Sequence, residues 1–152
     1  MRMKTLVAAI AGTLAAGALV AGATVALAQA DVIKQRQDNR KETAATMRSI
    51  KGVIGAKGDV KAVVASAAKL KQLENAFDKM FPPGSDKGET KALPAIWSDM
   101  PGFMAASKNA DAAYDKLAVA AGSGDLAAVT AAFGDTGKAC GACHTKYRAK
   151  TN

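Results

Sequence analysis

Residues 137–148 read "GKACGACHTKYR". Cys140, Cys143 and His144 fall within five positions of this stretch, and the 152-residue chain contains no other cysteine or histidine. Residue types used nowhere else and gathered in one place share a task, and the task depends on the element that carries them. Upstream, Asp125 is a fitting helix cap, and Leu126, Val129 and Phe133 form one face at helical spacing. The same face continues to Cys140, Cys143, His144 and Tyr147 if the helix survives Gly134 and Gly137, which cost about 1 kcal/mol each against alanine. The cluster is therefore expected late in a terminal helix, on its buried side.

Working outward, the chain repeats this pattern. Val32 to about Ala56 reads as a first helix, with Val32, Gln35 or Arg36, Asn39 or Arg40, Thr43, Met47, Ile50 and Ile54 on a face whose first half is polar for a core stripe. Gly55 and Gly58 weaken its end, and Asp59 caps the next segment, striped by Val60, Val63, Val64, Ala67, Leu70, Leu73, Phe77 and Met80 up to "FPPGS". Ser85 to Leu93 reads as a polar surface loop. Ser98 or Asp99 caps a third helix with Pro101 in its first turn, striped by Phe103, Ala106 or Ser107, Ala110, Tyr114, Leu117 and Ala121 and ended by "GSG" at Gly122 to Gly124. No segment alternates like a strand.

The fold class is all-α, an antiparallel up-down-up-down four-helix bundle. Its inward alanines leave space between helices, and four Phe and one Trp are few to fill it. A large flat cofactor in the core would account for that thinness.

The N-terminus sets the compartment. Arg2 and Lys4, a long apolar run, and Ala28-Gln29-Ala30 make a secretory leader, so residues 1–30 are expected to be cleaved and residues 31–152 to form one domain. The run would be long enough to span a bilayer at about 20 residues, but its Ala and Gly content and the small-residue site favour cleavage. Arg2 and Lys4 leave with it, so 19 basic residues face 13 acidic ones, a net charge of +6. The lysines are dispersed without interleaved aromatics, so no nucleic-acid footprint is indicated.

Three chemistries compete for the cluster. A redox disulfide of the thioredoxin kind needs a strand feeding a helix start, whereas these cysteines lie at the opposite end of a helix. A structural zinc site needs four ligands, and only three are offered. Covalent haem attachment uses all three residues: each thiol adds across one vinyl group, and the adjacent imidazole reaches the iron. Cys140 and Cys143 are therefore read as the attachment points of one haem c and His144 as its iron ligand. The sixth position is left to Met47, Met80, Met100 or Met104, another weak ligand, water, or nothing; each methionine is more often core filler.

With these residues in place, the chain resembles the cytochrome c prime family, including its low-spin c-556-like branch. The resemblance rests on "RQ" at Arg36 and Gln37, "FPPG" at Phe81 to Gly84, "IWSD" at Ile96 to Asp99, "GDL" at Gly124 to Leu126, "AAFG" at Ala131 to Gly134 and "CGACHTKYR" at Cys140 to Arg148. It implies a periplasmic monohaem protein, often a homodimer, that exchanges electrons through Fe(II)/Fe(III) or binds nitric oxide or carbon monoxide. It also implies that Arg36 and Gln37 approach the haem propionates and that Arg148 lies near the proximal histidine. The family's distal residue, usually Leu, Phe or Met, falls on Arg40. This side chain either snorkels outward along the haem or sits distally, and either disfavours methionine ligation from that position. The function read from the chain is an electron-transfer or gas-binding haem protein with an unidentified redox partner and no membrane insertion after cleavage. The alternative is a nitric oxide-reducing or weak peroxidase-like enzyme.

Overall fold

A computed structural model describes residues 16–150; Arg2, Lys4 and the first half of the expected leader lie outside them. Helix α1 spans Ala16–Gly55, joining the second half of the leader stretch and the expected first helix in one element. A short 3-10 turn, Val60–Ala62, leads into α2, Val63–Phe77. The one-turn α3, Ala95–Ser98, precedes α4, Met100–Ser123, and α5 runs over Leu126–Tyr147 without a break at Gly134 or Gly137. Among the described residues there is no strand, and no helix is long and apolar enough to cross a membrane.

Three expected caps form. Asp59 accepts from the Lys61 amide at 3.0 Å, Asp99 from Gly102 at 3.1 Å, and Asp125 from Ala127 at 2.8 Å. Each satisfies a backbone donor that the first helical turn leaves orphaned. Gly124 closes α4 at φ 77°, a left-handed conformation that favours glycine.

The core is two apolar clusters. One holds Ile50, Val60, Val63, Leu70, Tyr114, Leu117 and Val129; the other holds Phe81, Ile96, Phe103 and Tyr147, with Phe77, Trp97, Met100, Met104 and Cys143 against it. Helix α2 runs from the first cluster to the second, α4 returns, and α5 runs back again. Helix α1 begins beside the second cluster, where Arg36 lies over Phe81 and Trp97, and reaches the first at Ile50. That order is up-down-up-down, as the sequence pattern implied. Between the clusters lies a polar layer of Asn39, Arg40, Glu74 and Ser107. Helices α4 and α5 pack closely, as do α2 and α4, while α1 and α5 touch at few places, so the seam between them is loose.

Some expectations need correction. Val64 is 39% exposed rather than part of the stripe, because Val63 takes the inward position. Helix α2 stops at Phe77, before the prolines. The segment after it is not simply a surface loop. Ser85 is 1% exposed, its hydroxyl donating to Pro82 at 2.8 Å, and its carbonyl accepts from Arg36. Farther on, the Leu93 amide donates to Tyr147 at 3.0 Å and the Ala149 amide to Lys91 at 2.8 Å, tying the end of α5 to the loop.

Candidate cofactor site

Helix α5 presents Cys140 and Cys143 on adjacent turns, both thiols unbridged and partly buried. Cys143 packs into the aromatic cluster. Burial is the main cause that raises both thiol pKa values, with Cys143 pushed up to about 11, so both stay protonated at neutral pH. His144 departs from expectation: it lies on the exposed flank of α5, not its buried side. One residue past Cys143 is a rotation of about 100° around a helix. The most buried positions of α5 are Val129, Thr136 and Tyr147, so the two cysteines share that stripe and His144 borders it.

The His144 pKa is lowered, first by desolvation and then by the charges of Arg148 and Arg40. Arg148 Nη1 stands 3.4 Å from Nδ1, and a guanidinium beside the ring favours neutral imidazole, the form that carries a free lone pair. Arg148 thus lies one turn past His144 and in contact with it, as the resemblance implies. His144, Arg148, Thr145, Ala149 and Lys150 line an open surface pocket of about 350 Å³.

Helix α1 supplies the facing groups. Arg36 is 4% exposed, lies 4.9 Å from the Phe81 ring centre and 5.5 Å from that of Trp97, and donates through Nη2 to the Ser85 carbonyl. Its Nε and Nη1 are buried without a hydrogen-bond partner. Desolvation lowers its pKa, yet an arginine stays cationic. Gln37 is not beside it. It points to the exposed side and donates to the Glu89 carbonyl at 2.9 Å, because consecutive helical residues do not share a face.

Arg40 neither snorkels free nor hangs in the seam. Its guanidinium lies 3.6 Å from the Phe77 ring centre, Nη1 pairs with Glu74 Oε2 at 2.9 Å, and Nε donates to Asn39 Oδ1 at 2.9 Å. Nη2 is 3.5 Å from the Leu73 carbonyl, which also accepts from Asn39 Nδ2 at 2.9 Å. Glu74 is 6% exposed, and its other oxygen accepts from the Ser107 hydroxyl at 3.3 Å. Sequence reasoning placed Ser107 only as one choice for an inward position of α4, where it is indeed buried, and missed Glu74, Asp78 and Asp111. Burial, with the nearby Glu74 charge adding to it, raises the pKa of Asp78 and Asp111, and each has one carboxylate oxygen buried without a partner. One signal was present: Glu74 falls four after Leu70 and three before Phe77, a charged residue at core spacing. All four methionine candidates pack among apolar side chains, Met47 against the first cluster and Met80, Met100 and Met104 against the second.

These residues fit haem c. Two thiols and a neutral imidazole lie within five positions of one helix, and Arg36 offers two unpartnered buried donors suited to a carboxylate such as a haem propionate. A closed metal site is not offered, since no group of three or more His, Cys, Asp or Glu side chains able to hold a metal ion occurs among the described residues.

Fold and site together define a c-type cytochrome built on a four-helix bundle. The family model "Cytochrome C'" matches residues 31–148, and the chain belongs to that family, whose cofactor is haem c. It is 44% identical to cytochrome c' of Rubrivivax gelatinosus over 93 residues, which is 60% of this chain and 72% of that protein. It is 34% identical to cytochrome c-556 of Agrobacterium tumefaciens over 125 residues, which is 80% of this chain and 99% of that one. A nitric oxide complex of a variant cytochrome c prime from Alcaligenes xylosoxidans superposes with a TM-score of 0.73 at 34% identity, covering 81% of this chain and 97% of that one. The chain is thus a member of a family of haem electron carriers.

Proposed function

We propose that the chain is an exported, periplasmic cytochrome that carries single electrons and binds a small diatomic gas, nitric oxide or carbon monoxide, at the open axial face. The observation that carries this is the presence of Cys140, Cys143 and His144 on α5 together with the buried, incompletely partnered Arg36, which lies over the aromatic cluster that Cys143 packs against. When bound, haem would supply a one-electron Fe(II)/Fe(III) couple and a site for a small ligand. Cys140 and Cys143 would hold it, each S–H adding across a vinyl double bond, sulfur to one carbon and hydrogen to the other. His144 would offer its lone pair to the iron. Arg36 would offer its free donors to a propionate, and the aromatic cluster around Cys143 would exclude water beside it. An enzyme that reduces nitric oxide or peroxide would need a free donor over the ligand; every nitrogen of Arg40 already faces a protein acceptor, which supports the carrier reading. The dimer and cleavage before Asp31 are part of the same proposal.

Expression of the full chain with a c-type maturation system tests it. A covalent haem band on a denaturing gel, a mature mass starting at Asp31, and a ferrous spectrum that shifts with carbon monoxide are the expected results. Cys140→Ser and Cys143→Ser should each leave a single thioether. A ferric spectrum with a methionine-to-iron charge-transfer band would refute an open axial face, and absence of covalent haem would refute the proposal as a whole.

A further inference from the structure

We propose that Glu74 is a positioning residue that latches Arg40 onto helix α2 and so holds a guanidinium away from the open axial face, favouring neutral diatomic ligands there over small anions. The proposal rests on the haem reading above and concerns a residue pair outside the attachment motif.

Arg40 lies on α1 one turn past Arg36, which sits over Phe81 and Trp97. Left to itself, a long flexible cation at that position would be drawn to any negative charge nearby. The structure turns it sideways instead. Every donor nitrogen faces α1 or α2: Nε toward Asn39, Nη1 toward Glu74, Nη2 toward the Leu73 carbonyl, with the plane resting on Phe77. Glu74 is in turn held at both oxygens, by Arg40 on one and by the buried Ser107 hydroxyl of α4 on the other. The chain of contacts therefore crosses three helices, α1 to α2 to α4.

The pair lies beside the site: Arg40 rests on Phe77, which packs against the same aromatic cluster as Cys143. Paired, Arg40 and Glu74 present little net charge to a ligand. Removing one partner of this part-buried pair leaves the other less compensated, and a guanidinium freed from Glu74 becomes open to small anions as well as to the unpartnered carboxylate oxygen of Asp78. A neutral diatomic gains nothing comparable.

The test uses the haem-loaded full chain, with azide titrated into the ferric protein and carbon monoxide into the ferrous, both followed optically. In Glu74→Gln azide affinity should rise about tenfold, the scale of one uncompensated nearby charge, while carbon monoxide affinity stays within about twofold. Ser107→Ala keeps both charges and loosens the latch, so it should move azide in the same direction by less; it also decides the matter if Glu74→Gln fails to fold by circular dichroism. The double variant Glu74→Gln/Arg40→Gln should return azide affinity to the wild-type value. Unchanged azide affinity in both single variants, a parallel rise for carbon monoxide, or a gain that persists in the double variant would each overturn the latch. A chain that takes up no covalent haem would overturn the reading of the site and the latch with it.

Discussion

Asp99 shows how much one side chain can hold. It caps α4 through the Gly102 amide, accepts the Tyr147 hydroxyl at 2.9 Å and pairs with Lys146. Lys146 first, then Tyr147 and the Gly102 amide, hold its carboxyl below the ordinary value of 3.8. A depressed carboxyl pKa contributes stability that is complete above the unfolded value and lost as pH falls toward the folded one. The acid limb of a stability profile should therefore fall below about pH 4, and Asp99→Asn should flatten it by lowering stability most at neutral pH and least at the acid end; denaturant midpoints across that range measure both. Asp99 was legible as a cap because capping is local. Glu74 was not, because whether a charged residue is buried is settled by its partners, here Arg40 and Ser107 on two other helices. The attachment motif was legible from residue rarity alone, whereas the outward flank taken by His144 follows from the register of α5 against its neighbours.

At the scale of elements, the junction of α4 with α5 leaves no spare room. A Cβ at Gly102 would stand 2.6 Å from the Tyr147 hydroxyl and 2.7 Å from Asp99 Oδ1. Gly102→Ala should cost about 1–3 kcal/mol, as overpacking does, and thermal melting should show a smaller cost in an Asp99→Ala background, where one obstacle is gone. Helix boundaries at Gly55, Gly124 and Asp125 follow from turn chemistry and could be read directly from the chain. The segment between α2 and α3 could not, because its fold depends on Arg36, 49 residues from Ser85. Polar composition suggested a surface loop; a buried serine hydroxyl and a carbonyl turned to a guanidinium made it a wall of the site.

For the whole molecule, the two apolar clusters are joined through a charged layer, and their contributions to stability differ in kind. Leu70 and Leu117 are fully buried in the first cluster, so Leu117→Ala should cost about 2–5 kcal/mol. Val119, 77% exposed on the same helix, should tolerate alanine within about 0.5 kcal/mol; chemical denaturation of both variants checks the contrast. The up-down-up-down order was legible because helical spacing and short glycine turns allow few other arrangements. The charged middle layer was not, since an apolar period cannot show which polar residues meet.

The strap from Ser85 to Leu93 touches Arg36 at one end and the last turn of α5 at the other, so it can report on the site without any probe being added. The amides of Leu93 and Ala149 are bonded across the strap and α5, and they open only when the two part. In a hydrogen-exchange experiment they should exchange as a pair, more slowly than the exposed Gly88 and Glu89 amides, and loading with haem should slow both together. The exchange rate of two backbone protons would then measure how often the site breathes.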